Sequence, residues 1–278
     1  MPKFLLVCAL YAAAKAGAQG MQMQMGGAAD TIRDNVLRHQ GSGTSLDPGA
    51  TAPPMLMHMT DNNWMLMLHG VAFVADQQQS GPRAHDKLYS ANWWMPMVQR
   101  NFGSAQLTLR TMISLEPATI TGRFYPEMFQ EGETAYGEPI VDGQHPHNFF
   151  MEIGGIYDQR FGQKALLTFY AAPVGDPALG PVAYPHRASA SEDPLAPLGH
   201  HLEDSTHISY DVITAGLTVG SVRGVRFEAS GFHGREPDEN RWHMQAGAVD
   251  SWSGRLSVVP NTHWLGQYSL GRLHSPEA

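Results

Sequence analysis

The feature that most constrains this chain is a rhythm of two-faced stretches, roughly ten residues each, joined by connections that alternate between very short and very long. From residue 63 onward the stretches fall at about 63–75, 88–98, 105–116, 148–158, 164–172, 207–219, 225–233, 251–259 and 263–273. The short links are 99–104, 159–163, 220–224 and 260–262, while the others run from about eleven to more than thirty residues. A tilted membrane strand needs only about 9–11 residues, and outer-membrane barrels carry tight periplasmic turns at one end and long outer loops at the other. Sandwiches and propellers have no reason to gather every long connection at one end. The rhythm therefore predicts an all-β, antiparallel transmembrane barrel of the outer-membrane kind over residues 63–278.

Period-two alternation fixes the faces of the best-patterned strands. In 105–116, Ala105, Leu107, Leu109, Ile113 and Leu115 share one side, and Gln106, Thr108, Arg110, Ser114 and Glu116 the other. Val225, Phe227 and Ala229 oppose Arg226, Glu228 and Ser230; Trp252, Leu256 and Val258 oppose Ser253, Arg255 and Ser257. Trp64, Trp93, Trp94, Tyr157, Tyr170, Tyr210, Trp252 and Trp264, near strand ends, fit an interfacial girdle. Single-chain bacterial barrels have even strand numbers, so a reading of nine strands with no closing aromatic strand predicts a barrel incomplete at its C-terminus, or a count short by at least one.

The 278 residues are 42% hydrophobic and 16% charged, too poor in charge for a typical soluble globule and too apolar for disorder. Beyond position 20 no apolar run is long enough for a transmembrane helix. A mean hydropathy of -0.27 does not count against a barrel, which exposes apolar groups only at alternate positions. Net charge is -8 and no dense Lys/Arg run occurs, which excludes nucleic acid as a partner. Outer-membrane lipid is the partner the pattern implies.

Residues 1–18 read as a secretory signal: Lys3 starts it, an apolar core follows, and Ala16-Gly17-Ala18 offers a small-residue cleavage site. This predicts export to the outer membrane of a Gram-negative bacterium. The single cysteine, Cys8, lies within that segment, so the mature chain has no thiol chemistry. Residues 19–62, Met-rich and then Gly/Ser/Pro-rich, read as a flexible periplasmic arm outside the barrel, with one short helix around Thr31–Arg38 capped by Asp30.

Methionine and histidine carry the chemistry. Thioether sulfur is a soft ligand that favours Cu(I), and M-x-M spacing in an extended chain sets both sulfurs on one side. Met21, Met23, Met25, Met55, Met57 and Met59, with His58, are therefore candidate copper ligands in the arm. Met65 and Met67, and likewise Met95 and Met97, fall inside strands, where methionine is ordinarily apolar filler against lipid or a neighbour. Among the 14 histidines, His145 and His147 are two apart and project to one face if extended. His200 and His201 stand near Glu203, Asp204 and His207, a mixture of imidazole and carboxylate that suits Zn, Cu(II) or Ni.

Ser205, His207 and Asp204 have the composition of a barrel-type lipid hydrolase, but adjacent residues on a strand point to opposite faces and no G-x-S-x-G elbow is present. The reading is not an enzyme. Arg110, Glu116, Glu152, Asp211, Arg226, Glu228 and Arg255 put both signs of charge on the polar face, which predicts internal pairing that braces a narrow lumen, not a wide pore. The expected function is to bind or pass a small solute or soft metal ion, with copper as the most concrete cofactor. The alternatives are a structural or adhesive barrel without transport and a barrel-type lipid hydrolase.

The stretches GETAYGEPIVDGQHPHNFFMEI, ALGPVAYPHRASASEDPLAPLGHHLEDSTHISYDVITAG and GFHGREPDENRW resemble those of a bacterial outer-membrane protein family, over roughly residues 20–276. The resemblance implies a barrel, a longer C-terminus and no assigned reaction. A Met-rich arm ahead of a barrel is also similar in layout to copper resistance protein B of Gram-negative bacteria, although the longer Met/His repeats are lacking here. That layout implies copper handling and no catalytic residue.

Overall fold

The computed structural model describes residues 29–51, 55–187, 189–195 and 206–276. Helix α1 (Ile32–Arg38) comes first. The strands are β1 (Leu56–Met59), β2 (Met65–Ala72), β3 (Ala75–Gln77), β4 (Lys87–Tyr89), β5 (Asn92–Phe102), β6 (Ala105–Ile113), β7 (Tyr125–Pro126), β8 (Glu133–Ala135), β9 (Glu138–Ile140) and β10 (Gly143–Gln144). They continue as β11 (Phe150–Phe161), β12 (Ala165–Gly175), β13 (Ser209–Gly220), β14 (Gly224–His233), β15 (Ser251–Asn261) and β16 (Trp264–Arg272). A one-turn helix α2 (Glu116–Thr119) follows β6, and a 3-10 turn, Tyr184–His186, lies between β12 and β13.

Ten strands form one antiparallel meander in the order β1-β2-β5-β6-β11-β12-β13-β14-β15-β16. The connections 60–64, 103–104, 162–164, 221–223 and 262–263 lie at one end, and 73–91, 114–149, 176–208 and 234–250 at the other. Gly103 and Gly162 take φ of 60° and 57° in two of the tight turns, a conformation other residues resist. In this sheet the strand missed by the sequence reading is β1, paired with β2 through Leu56↔Leu68 and Met57↔Met67, and the short strands β7 to β10 outside it fall in what reads as a long loop. Four residues are too few for alternation to announce a strand, so residues 56–59 had been assigned to the arm. Among the described residues β1 and β16 do not pair with each other, so the sheet is open along that seam.

Burial is inverted relative to a soluble sheet. On β14 Arg226 is 0% exposed and its neighbour Phe227 53%. Gln106, Thr108 and Arg110 on β6, Thr214 and Thr218 on β13, and Ser253, Arg255 and Ser257 on β15 are all buried. Leu109, Phe169, Ile213, Leu217 and Val258 are exposed on the opposite face. The aromatic residues divide: Tyr157, Trp252 and Trp264 point outward, whereas Trp93, Tyr170 and Tyr210 are buried and so leave the expected girdle.

The space inside the sheet is filled by residues 29–51, where a flexible arm had been expected. Thr31, not Asp30, caps α1, its Oγ1 accepting from the Asp34 N–H at 3.0 Å. The helix sits against the tight-turn end: the Ile32 N–H donates to Ser221 O at 2.8 Å and Arg33 Nη1 to Gly162 O at 3.0 Å. Val36, Leu37 and Leu46 pack on Leu166 of β12. Deeper in, Arg110 of β6 donates to Gly43 O, and Arg255 of β15 reaches Thr44 Oγ1 at 3.2 Å. Strands far apart in the sheet thus converge on one short loop, which shows that the sheet wraps around it. The amphipathic helix and the Gly/Ser turn form here because the polar inner wall supplies partners a solvated arm would lack.

The charges of the inner wall pair with one another. Arg110 Nε lies 2.8 Å from Glu152 Oε1, and Glu228 sits between Arg226 Nε at 3.0 Å and Arg255 Nε at 2.9 Å. Buried charges survive only when compensated in this way. Asp211 is the exception, half-buried at a bulge with φ of 52° and accepting from the Gly247 N–H at 2.9 Å.

Candidate functional site

The described parts of the long connections gather at one end of the sheet as a cap. Strand β7 pairs with β10, β8 with β9 and β3 with β4, and the Tyr89 and Tyr125 rings stack at 5.0 Å. Helix α2 presents Glu116 inward, where it receives the His147 backbone N–H at 2.8 Å and His147 Nδ1 at 2.7 Å. On its other side His147 Nε2 meets the Tyr184 hydroxyl at 3.2 Å. Burial alone would strip the proton from His147, but the Glu116 carboxylate outweighs it and the net shift is upward. Nearby, Glu127 is pushed up to about 8 by burial first, then by the charges of Glu133 and Asp193.

His145 and His147 do not act as a pair of free ligands. His145 turns toward Glu133, its Nε2 3.5 Å from Oε2, and both ring nitrogens of His147 are engaged by Glu116 and Tyr184. The two residues line a cavity of only about 20 Å³ together with Asn148, His207 and Arg241, room for about one water and with a guanidinium already present. Among the described residues no group of three or more His, Cys, Asp or Glu side chains converges as a metal site. His200 and His201, with Asp204 and Ser205, lie outside the described residues, as do Met21, Met23 and Met25.

The remaining arm candidates separate by parity. Met57 opposes Met67 across the β1–β2 ladder, and Met55 and Met57 pack against an inner cluster. His58 opposes Leu66 and is exposed with it, and Met59 is exposed at the strand end. M-x-M spacing did set Met55 and Met57 on one side, but that side packs against the buried face of the sheet.

That inner cluster is the chemically distinctive part of the molecule. Met67, Met95, Met97, Met112 and Met151 are all buried there with Trp93, Val174, Ile208 and Tyr210. Met67 stands opposite Met97, and His69 opposite Met95, on the β2–β5 ladder. Of the two settings expected for Met67, lipid or a neighbouring side chain, the structure gives the second: it shares parity with His69 and faces inward onto the cluster. From the cap, the turn Tyr184–His186 lowers His186 onto the cluster, with His186 Nε2 3.2 Å from Met112 Sδ. The His186 ring lies 5.7 Å from that of His69, and Trp93 touches both, at 4.8 Å and 4.7 Å. Burial, reinforced by the charges of His69 and Arg110, holds His186 well below the usual imidazole range, so the ring is neutral and keeps a lone pair.

Met112, Met151 and His186 were not singled out from sequence. Met112 carried a usable signal, since it shares parity with Arg110 and Ser114 on the polar face of β6, an odd position for an apolar filler. His186 carried none, because a loop residue reaches the cluster only by tertiary folding. A concavity of about 510 Å³ is lined by Pro96, Val98, Leu109, Gly155 and Ala171, with Met97 and Arg110 also at its wall. No family model, no curated protein and no solved structure matches the chain.

Proposed function

We propose that the chain is an outer-membrane β-barrel protein of a Gram-negative bacterium that binds or passes a soft metal ion, with copper as the most concrete case. The observation that carries this reading is the inverted sheet: charged and hydroxyl side chains are buried and the apolar ones exposed at alternate positions, as lipid on one side and a polar lumen on the other require. No helix among the described residues is long and apolar enough to cross a membrane, so any crossing falls to strands. The preference for a soft ion over other small solutes rests on thioethers and neutral imidazole gathered inside the sheet. The layout resembling copper resistance protein B agrees with it.

A structural barrel without transport is the second reading, favoured by the plug that Arg110 and Arg255 hold in the lumen. Fractionation of cells expressing the native gene, followed by copper and silver sensitivity of a deletion strain, tests both. Recovery in the outer membrane with altered metal sensitivity is expected. Recovery as a detergent-independent soluble monomer overturns the barrel reading, and an outer-membrane protein with unaltered sensitivity favours the structural one.

A further inference from the structure

We propose that His69, His186 and Met112 form a Cu(I) or Ag(I) site beneath the cap, with Met95 as a further thioether beside them. This deepens the soft-metal reading and rests on it, but it names a specific set of ligands outside the Met-rich arm. Three observations from different elements meet here. His186 Nε2 and Met112 Sδ face each other at 3.2 Å, and a thioether is a poor hydrogen-bond acceptor, so a buried imidazole nitrogen is left with only a weak partner. The His69 ring lies 5.7 Å from the His186 ring, close enough for both to turn toward one ion, and Met95 faces His69 across the ladder.

The third observation is the makeup of the wall. The residues packed around these donors include Met67, Met97, Met151, Trp93, Val174, Ile208 and Tyr210, and among the described residues no carboxylate joins the two histidines in a group of three ligands. A hydrated divalent ion would lose its water there without charged oxygen in return, whereas a soft monovalent ion exchanges water for sulfur and nitrogen. The Arg110 guanidinium, whose charge acts on His186, is paired with Glu152 at 2.8 Å. Beside them, Met57, Met67 and Met97 form a row across three strands.

The test uses the full-length chain in detergent micelles, loaded anaerobically with Cu(I) and separately with Ag(I). X-ray absorption at the copper edge should give nitrogen and sulfur scatterers together. Met112→Leu, close in volume, should lower the sulfur scattering and weaken binding roughly ten- to a hundredfold, and His186→Gln should lower the nitrogen scattering. Met59→Leu, at an exposed position, should change neither. A chain carrying Met21→Leu, Met23→Leu and Met25→Leu should retain the mixed signal. Unchanged affinity and spectrum in Met112→Leu overturn the site, and that variant suffices if His186→Gln does not fold. Fractionation separates the two ideas: mixed nitrogen and sulfur ligation in a protein outside the outer membrane keeps the site and rejects the barrel, and an outer-membrane protein without it does the reverse.

Discussion

Glu228 is the residue on which the inner wall most depends. Its carboxylate lies 3.0 Å from Arg226 Nε and 2.9 Å from Arg255 Nε, all three side chains being buried. The Arg255 contact is an aligned hydrogen bond, while the Arg226 contact is an ion pair without that alignment. Glu228→Ala leaves two buried cations uncompensated and is expected to destabilise the fold by about 3–5 kcal/mol. Urea midpoints in micelles measure it, and a loss below about 1 kcal/mol would show that solvent reaches the wall. Gly43 is a second such position, for a backbone reason. Its φ is 53°, and a Cβ there would stand 2.1 Å from Asp176 O. Gly43→Ala is therefore expected to release residues 40–46 from the inner face of the sheet while the sheet persists. Hydrogen exchange checks this: protection should fall in that segment and hold in β12 to β14.

At the scale of elements, the cap carries a pH dependence whose sign follows from two groups. Glu127 binds its proton more tightly in the folded cap, at about 8, than in an unfolded loop at 4.5, because burial and then Glu133 and Asp193 oppose ionisation. A raised folded value means the contribution is intact below 4.5 and is lost as pH climbs through about 8. His147, raised above 6.5 on balance despite its burial, has the same sign: the Glu116 pair is intact below that value and weakens as the ring deprotonates. Proteolysis of 114–149 should accordingly be faster at about pH 8 than at about pH 5, and Glu127→Gln should flatten the difference. A cap equally resistant at both values would refute this coupling. The strands and their faces were legible in the sequence because alternation is local: Arg226 and Phe227 announce their opposite sides without knowledge of the fold. Helix α1 was legible in place but not in setting, since nothing in Ile32–Arg38 says that a polar wall awaits it. Met67, Met95 and Met97 read as apolar filler in the sequence, because the residues that gather with them arrive from β6, β11 and the Tyr184–His186 turn by contacts remote in sequence.

For the whole molecule the decisive question is what lies against the exposed apolar face. A soluble sheet with one covered face hides its apolar side and shows its polar side to water. Here hydroxyl, amide and guanidinium groups are hidden around a plug, and Leu109, Phe169, Ile213, Leu217 and Phe227 form the surface. Contiguous apolar surface on this scale is not left to water by a monomeric protein. Phe169 sits near the middle of β12, flanked by the buried Thr168 and Tyr170, so its side chain marks the outer face at mid-strand. If lipid tails cover that face, Phe169→Arg should cost about 2–4 kcal/mol, the penalty of a cation near the bilayer midplane. If water covers it, the same change at an exposed position should fall within about 0.5 kcal/mol of neutral. Urea-dependent folding into phospholipid vesicles gives the number directly, and Arg33→Gln on the plug helix should show no comparable depth penalty. The two environments thus predict values several-fold apart for one substitution, and a near-neutral Phe169→Arg would remove the membrane from the account of this fold.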